Sequence, residues 1–113
     1  MESAIEPRLA AQRDAIAMLC QAHGVLVLEV FGSAADGRFD AARSDYDLIA
    51  RFAPDESQSL ARRFVAISEA LEALLGRPVD LMTDHSIDNP YLRAAISATR
   101  RLVYAQPAAE APA

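Results

Sequence analysis

The chain is poor in cysteine and has no long hydrophobic run. One cysteine, Cys20, cannot form an internal disulfide framework and is typical of a protein from a reducing cytoplasm. No apolar run approaches the roughly 20 residues that a membrane-spanning helix needs. The first residues also lack the basic-then-apolar order of a signal peptide. The sequence therefore predicts a cytoplasmic protein with no membrane association.

Positive charge is scarce, since the formal net charge is −5. An acidic chain binds nucleic acid broadly only through a local basic patch, so no direct nucleic-acid binding is expected. The arginine pairs 62–63 and 100–101 are the candidate patches, but such pairs on helices are typical of solvated faces. The histidines lack zinc-site spacing. We assign His23 to a helix end and His85 to a turn.

The length and composition predict one domain. At 113 residues, with 52% apolar and 24% charged residues, the chain can build a single hydrophobic core. It contains no internal repeat and no linker. We assign residues 1–105 to the domain and 106–113, QPAAEAPA, to a disordered tail, because this segment is rich in proline and alanine.

Hydrophobic periodicity predicts the order helix, strand, loop, strand, helix, strand, helix. The first helix reaches Cys20 and is closed by Gly24. The second is capped by Asp55 or Ser57 and ends at Gly76, and the third begins after Asp88 or Asn89 and continues through Val103. The predicted strands are 25–31, 46–52 and 78–83. This is a small α/β (α+β) fold in which helices flank a three-stranded mixed sheet.

Three aspartates stand at strand ends, where acidic residues are unusual. Side chains alternate along a strand, so Asp45 and Asp47 project to one side and Tyr46 to the other, where we expect Tyr46 to pack rather than to stack on a base. If the second and third strands are neighbours, Asp80 joins the pair. Two like charges this close repel each other unless a cation lies between them, and Mg²⁺ binds carboxylates together with substrate phosphates. The alternative is that each aspartate merely caps backbone amides in a turn.

The first strand ends in Gly32-Ser33. A glycine lets a phosphate approach the backbone, and the following amides and the Ser33 hydroxyl can bind its oxygens. The alternative is that Ser33 is only a helix N-cap. Because an Asp-x-Asp motif follows twelve residues later, the combination favours a nucleotide triphosphate site.

These motifs resemble a known family. The stretch 31–52, FGSAADGRFDAARSDYDLIARF, followed by VDLMT, resembles the signature of the DNA polymerase β-like nucleotidyltransferases, and the short chain resembles their minimal members, the MNT proteins. The resemblance implies a nucleotidyltransferase fold and transfer of AMP from ATP with Mg²⁺. Gly32 and Ser33 would hold the triphosphate, Asp45 and Asp47 would coordinate the metal, and Asp80 would be a third ligand or the base for the acceptor hydroxyl.

The resemblance also implies a partner. Many MNT proteins are antitoxins that silence a HEPN ribonuclease toxin by attaching AMP to a tyrosine, so the expected assembly is a hetero-oligomer. The sequence departs from the family at Asp36, where Arg or Lys is usual, and a carboxylate beside bound phosphate repels it. Either Arg38 supplies the missing cation or Asp36 faces solvent.

The departure at Asp36 keeps two other interpretations open. One is a binding module that neutralises its partner by contact, with weak or no catalysis. The other is a transferase for a small molecule such as an aminoglycoside, although the chain has no residues left for a second domain that grips such an acceptor.

Overall fold

The computed structural model describes residues 5–36, 45–54, 59–83 and 88–106. Arg38, Asp55, Ser57, His85 and tail residues 107–113 lie outside the described residues, so the assignments made for Arg38, His85 and the tail stay predictions. The elements along the chain are α1 (Pro7–Ala11), α2 (Arg13–Ala22), β1 (Val25–Phe31), α3 (Ser33–Asp36), β2 (Tyr46–Phe52), α4 (Leu60–Leu75), β3 (Val79–Thr83), α5 (Pro90–Thr99) and β4 (Arg101–Ala105).

The helices end largely where turn chemistry predicts. His23 caps α2, and Gly76 closes α4 with a φ of 71°. The predicted first helix is divided at Gln12, whose φ of −100° and ψ of 12° interrupt it. Ser59, rather than Asp55 or Ser57, caps α4, because its side chain accepts a hydrogen bond from the Arg62 amide.

The sheet has four strands in the order β3-β2-β1-β4. β1 lies antiparallel to β2 and β4, and β2 lies parallel to β3. The class and the mixed sheet are therefore confirmed, but the strand count of three is wrong. The last helix ends at Thr99 because Arg100 is extended, with a ψ of 133°. The residues that follow include Val103, which we had assigned to that helix, and they pair with the otherwise open edge of β1.

The sheet buries a large core on one face. Tyr46 and Leu48 of β2 lie on this face with Leu28 and Val30 of β1, packed under α1, α2 and α4. Tyr46 is fully buried and donates its hydroxyl hydrogen to Glu6 Oε1, so the expected packing role is confirmed. Across the described residues, no helix is both long enough and apolar enough to span a bilayer.

Among the described residues, α5 packs against one end of the opposite face. There Phe31 of β1 and Ile49 of β2 pack against Ile96 of α5. Because side chains alternate along a strand, Asp47 and Arg51 lie on this second face with Ile49. α5 thus covers the part of the face beside the carboxyl end of β1.

Two arginines that we predicted to be solvated make specific contacts, and one of them is buried. Arg63 is only 5% exposed, donates to the Ala53 carbonyl oxygen at 2.9 Å, and places its guanidinium 5.4 Å from the centre of the Phe52 ring. Arg100 forms an ion pair with Glu29. The prediction failed for Arg63 because charge alone does not reveal that its planar guanidinium can pack on an aromatic ring.

Arg63→Lys is expected to lower the free energy of unfolding by about 1–2 kcal/mol, because an ammonium group loses the stacking on Phe52 and is costlier to bury. Arg62→Lys is the matched control. Arg62 is exposed, so its change should stay within about 0.5 kcal/mol. Urea unfolding of both variants checks this, and equal stabilities would show that the buried guanidinium makes no special contribution.

Candidate active site

The Gly32-Ser33 turn joins the end of β1 to α3. Gly32 has a φ of 73°, in the left-handed region that favours glycine. A Cβ atom placed on Gly32 would lie 2.8 Å from Asp47 Oδ2, which is closer than real contacts allow. Glycine is therefore needed here twice, for its backbone conformation and for the space that Asp47 occupies.

The amide of Gly32 is already engaged. It donates to Thr99 Oγ1 at 2.9 Å, across 67 positions of sequence. The amides that we expect to bind phosphate are those that follow Gly32, so this hydrogen bond does not involve them. The Gly32 carbonyl oxygen accepts from the Ala35 amide at 3.0 Å. What the turn offers a ligand is therefore chiefly the half-buried Ser33.

The register of the sheet brings two aspartates side by side. Asp47 of β2 pairs with Phe31 of β1 on one side and with Asp80 of β3 on the other. Adjacent strands lie about 4.8 Å apart, and residues paired in parallel strands project to the same face. Asp45 is exposed and directly precedes β2. The carboxylates thus lie at the end of the sheet where β1 turns at Gly32.

Burial and charge both act on Asp47. Burial, followed by the nearby charges of Asp80 and Asp45, raises the pKa of Asp47 to about 6. The protein therefore holds a carboxylate whose ionised form is disfavoured by its surroundings. Such a cost is typical of functional sites, where a bound cation removes it.

The donor set fits Mg²⁺, which prefers carboxylate oxygens. The charges of Asp45 and Asp80 reach Asp47, and a cation among the three would offset that repulsion. Within the described ranges, however, no group of three or more His, Cys, Asp or Glu side chains is arranged as a ready metal site. The three aspartates are neighbours that have not converged on one point.

An open depression lies on the same face of the sheet as Asp47. It encloses about 240 Å³ and is lined by Val27, Glu29, Ile49 and Arg51. Glu29 is held by Arg100, whose Nη2 lies 2.8 Å and Nε 2.9 Å from Glu29 Oε1. This depression and Thr99 were missed by sequence reasoning, because both depend on where α5 and β4 return to the sheet.

Comparison with known families agrees with this geometry. A family model described as the nucleotidyltransferase domain matches residues 13–103. The chain belongs to this family. Among curated proteins, the "Putative protein adenylyltransferase MJ1379" of Methanocaldococcus jannaschii is 36% identical over 69 residues, which are 61% of this chain and 67% of that protein.

Solved structures support the minimal form of the fold. A structure described as a "putative minimal nucleotidyltransferase" is 32% identical, with a TM-score of 0.66, over 88% of this chain and 98% of that one. A toxin-antitoxin complex with AMP-PNP is 18% identical, with a TM-score of 0.63, over 83% of this chain and 73% of that one. A tri-AMPylated Shewanella oneidensis HEPN toxin in complex with an MNT antitoxin is 16% identical, with a TM-score of 0.54, over 88% and 75% respectively. At these low identities the two complexes share the fold with this nucleotidyltransferase.

Two parts of the sequence pattern stay untested. The side chain of Asp36 and the whole of Arg38 lie outside the described residues, so the two alternatives given for the departure at Asp36 stay predictions. The roles assigned to the five motif residues, Gly32, Ser33, Asp45, Asp47 and Asp80, remain proposals that the geometry supports.

Proposed function

We propose that this nucleotidyltransferase transfers AMP from ATP to a partner protein in the cytoplasm, and that it is the antitoxin of a HEPN-type toxin. The observation that carries the proposal is the close approach of Asp47 to Gly32. It places the Gly32-Ser33 turn, which is proposed to bind phosphate, beside the carboxylates at one end of the sheet. The resemblance to a protein named as an adenylyltransferase and to an antitoxin bound to an AMPylated toxin supports the choice of AMP and of a protein acceptor.

In this proposal the motif residues divide into a triphosphate-binding turn and a group of carboxylates. Gly32 and Ser33 form the turn that binds the triphosphate, while Asp45 and Asp47 would hold Mg²⁺, with Asp80 as a third ligand or as the base. The cation would supply charge neutralisation for the phosphates. Asp47 must be ionised for this task, and the cation offsets the repulsion that raises its pKa.

The transfer exchanges one phosphorus–oxygen bond for another. The hydroxyl oxygen of the acceptor forms a bond to the α-phosphorus, and the bond from that phosphorus to the bridging oxygen of pyrophosphate breaks. Pyrophosphate leaves with the electron pair. If Asp80 is the base, it takes the proton of the acceptor hydroxyl, a role that its exposed position permits.

The acceptor is proposed to be a protein because, among the described residues, an open depression lies on the same sheet face as Asp47. A surface with an open depression can receive a side chain carried by a large partner. The net charge of −5 suits a basic partner such as an RNA-cleaving toxin.

The second candidate is a binding module that neutralises the toxin by contact alone. Two observations favour it: Asp36 replaces the family's cation, and the Gly32 amide is bonded to Thr99 rather than free for phosphate. Such a module needs only a surface that binds the toxin, and it does not need an ionised Asp47.

Toxin neutralisation separates the two candidates. The chain is co-expressed with the HEPN-family ribonuclease of its own genome, as wild type, as Asp45→Asn/Asp47→Asn, and as the exposed control pair Asp14→Asn/Glu69→Gln. The enzymatic proposal predicts that the site variant still co-purifies with the toxin but no longer protects the cells. Full protection by the site variant would favour the binding module.

A further inference from the structure

The Thr99 hydroxyl makes two hydrogen bonds at the end of α5. Its Oγ1 accepts from the Gly32 amide at 2.9 Å and donates to the Ala95 carbonyl oxygen at 3.2 Å. The second bond orients the hydroxyl so that a lone pair faces Gly32. A side chain from the C-terminal helix therefore satisfies the backbone of the turn that begins the proposed nucleotide site.

The residues on either side of Thr99 contact β1, the strand that ends at the Gly32 turn. Ile96, one turn earlier, is 2% exposed and packs on Phe31. Arg100, the next residue, pairs with Glu29. These contacts fix the end of α5 against the last three residues of β1, so that Thr99 has one position relative to Gly32.

This placement matters because glycine alone does not fix a turn. Glycine populates positive and negative φ about equally, so an unanchored Gly32 peptide can rotate. A rotation would redirect the next peptide unit, which carries the Ser33 amide, and would change the approach between Gly32 and Asp47. A hydrogen bond to the Gly32 amide selects one of these conformations.

We propose that Thr99 is a positioning residue for nucleotide binding, which holds the Gly32 peptide so that Ser33 and Asp47 face the triphosphate together. This inference rests on the proposed function. It assigns to α5 a role in the site that no sequence motif indicates, and it explains why the Gly32 amide is bonded internally rather than offered to phosphate.

Three variants test the inference. Thr99→Val keeps the shape and removes the hydroxyl, Thr99→Ser keeps the hydroxyl, and Ser97→Ala removes an exposed hydroxyl from the same helix. Calorimetry measures the Kd for Mg-ATP, and the nitrogen-15 spectrum follows the Gly32 amide. Melting temperatures establish that each variant is folded, and Thr99→Ala replaces the valine variant if that does not fold.

The inference predicts that Thr99→Val weakens Mg-ATP binding by about 3- to 10-fold, the equivalent of one neutral hydrogen bond. Its Gly32 amide should exchange faster with solvent, while Thr99→Ser and Ser97→Ala bind within about two-fold of wild type. If the affinity for Mg-ATP is unchanged while the Gly32 amide exchanges faster with solvent, Thr99 has only a structural role. Tighter binding would show that Thr99 blocks a phosphate donor, and either result overturns the inference. Wild-type protein that binds no nucleotide would overturn the inference and the proposed function together.

Discussion

Asp47→Asn is expected to lower the rate of nucleotide transfer by at least about 100-fold while it raises the melting temperature of the metal-free protein. The first effect follows from the loss of a charged metal ligand in a reaction that depends on charge neutralisation. The second follows from the site itself, since burial and the charges of Asp80 and Asp45 disfavour ionised Asp47. A catalytic carboxylate that costs stability is the expected signature of a functional site.

The stability effect has a defined pH dependence. The pKa of Asp47 rises from an ordinary value of 3.8 to about 6 on folding. Asp47 therefore makes its full contribution to the free energy of unfolding below pH 3.8, and this contribution is lost as the pH rises through about 6. Asparagine carries no charge at any of these values. After allowance for solvent screening, we expect a gain of about 1–2 kcal/mol for the variant at pH 7 and almost none at pH 4.

Melting temperatures in EDTA between pH 4 and pH 8 measure this dependence. Glu69→Gln, an exposed carboxylate on α4, is the control. The difference between Asp47→Asn and wild type should widen across pH 4–7 by several degrees, whereas the control difference stays flat. A flat difference for Asp47→Asn as well would mean that Asp47 is not under electrostatic strain.

Gly32→Ala is expected to reduce nucleotide transfer by about 100-fold as well, but for a geometric reason. The new Cβ atom would meet Asp47 Oδ2 at 2.8 Å, so that the carboxylate or the turn must move. A displacement of about 1 Å at a reacting centre can cost two orders of magnitude in rate. The variant also strains the backbone, because alanine disfavours a φ of 73°.

Gly76→Ala separates the two causes. Gly76 has a nearly identical φ of 71°, but a Cβ atom there would have nothing within 4 Å. Both variants should lose about 1–2 kcal/mol of stability from the left-handed conformation. Only Gly32→Ala should lower the steady-state rate of nucleotide transfer. Equal rates for the two variants would show that the contact between Gly32 and Asp47 is not part of the site.

The sequence predicted the elements that carry the motifs. β1 and β2 have the predicted bounds, 25–31 and 46–52, because each is a short apolar run bounded by turn residues. Period-2 alternation also predicted that Tyr46 and Asp47 point to opposite faces, which the buried Tyr46 bears out. A pattern within one segment is therefore enough to predict a strand and the face to which each of its side chains points.

The errors came from interactions between distant parts of the chain. The segment RLVYA, residues 101–105, is compatible with a helix by its apolar spacing, and only the open edge of β1 makes it a strand. The burial of Arg63 depends on the position of Phe52, and the bond from Thr99 to Gly32 depends on where α5 ends. No pattern within one segment contains this information.

Transfer of label from ATP is the measurement that tests the central claim most directly. The purified protein is incubated with Mg²⁺ and α-labelled or γ-labelled ATP, together with lysate of the organism that encodes it, beside the Asp45→Asn/Asp47→Asn variant. We predict a labelled protein band with α-labelled ATP alone, which disappears in the variant. Folded wild-type protein that labels nothing, or that transfers the γ-label instead, would contradict nucleotide transfer.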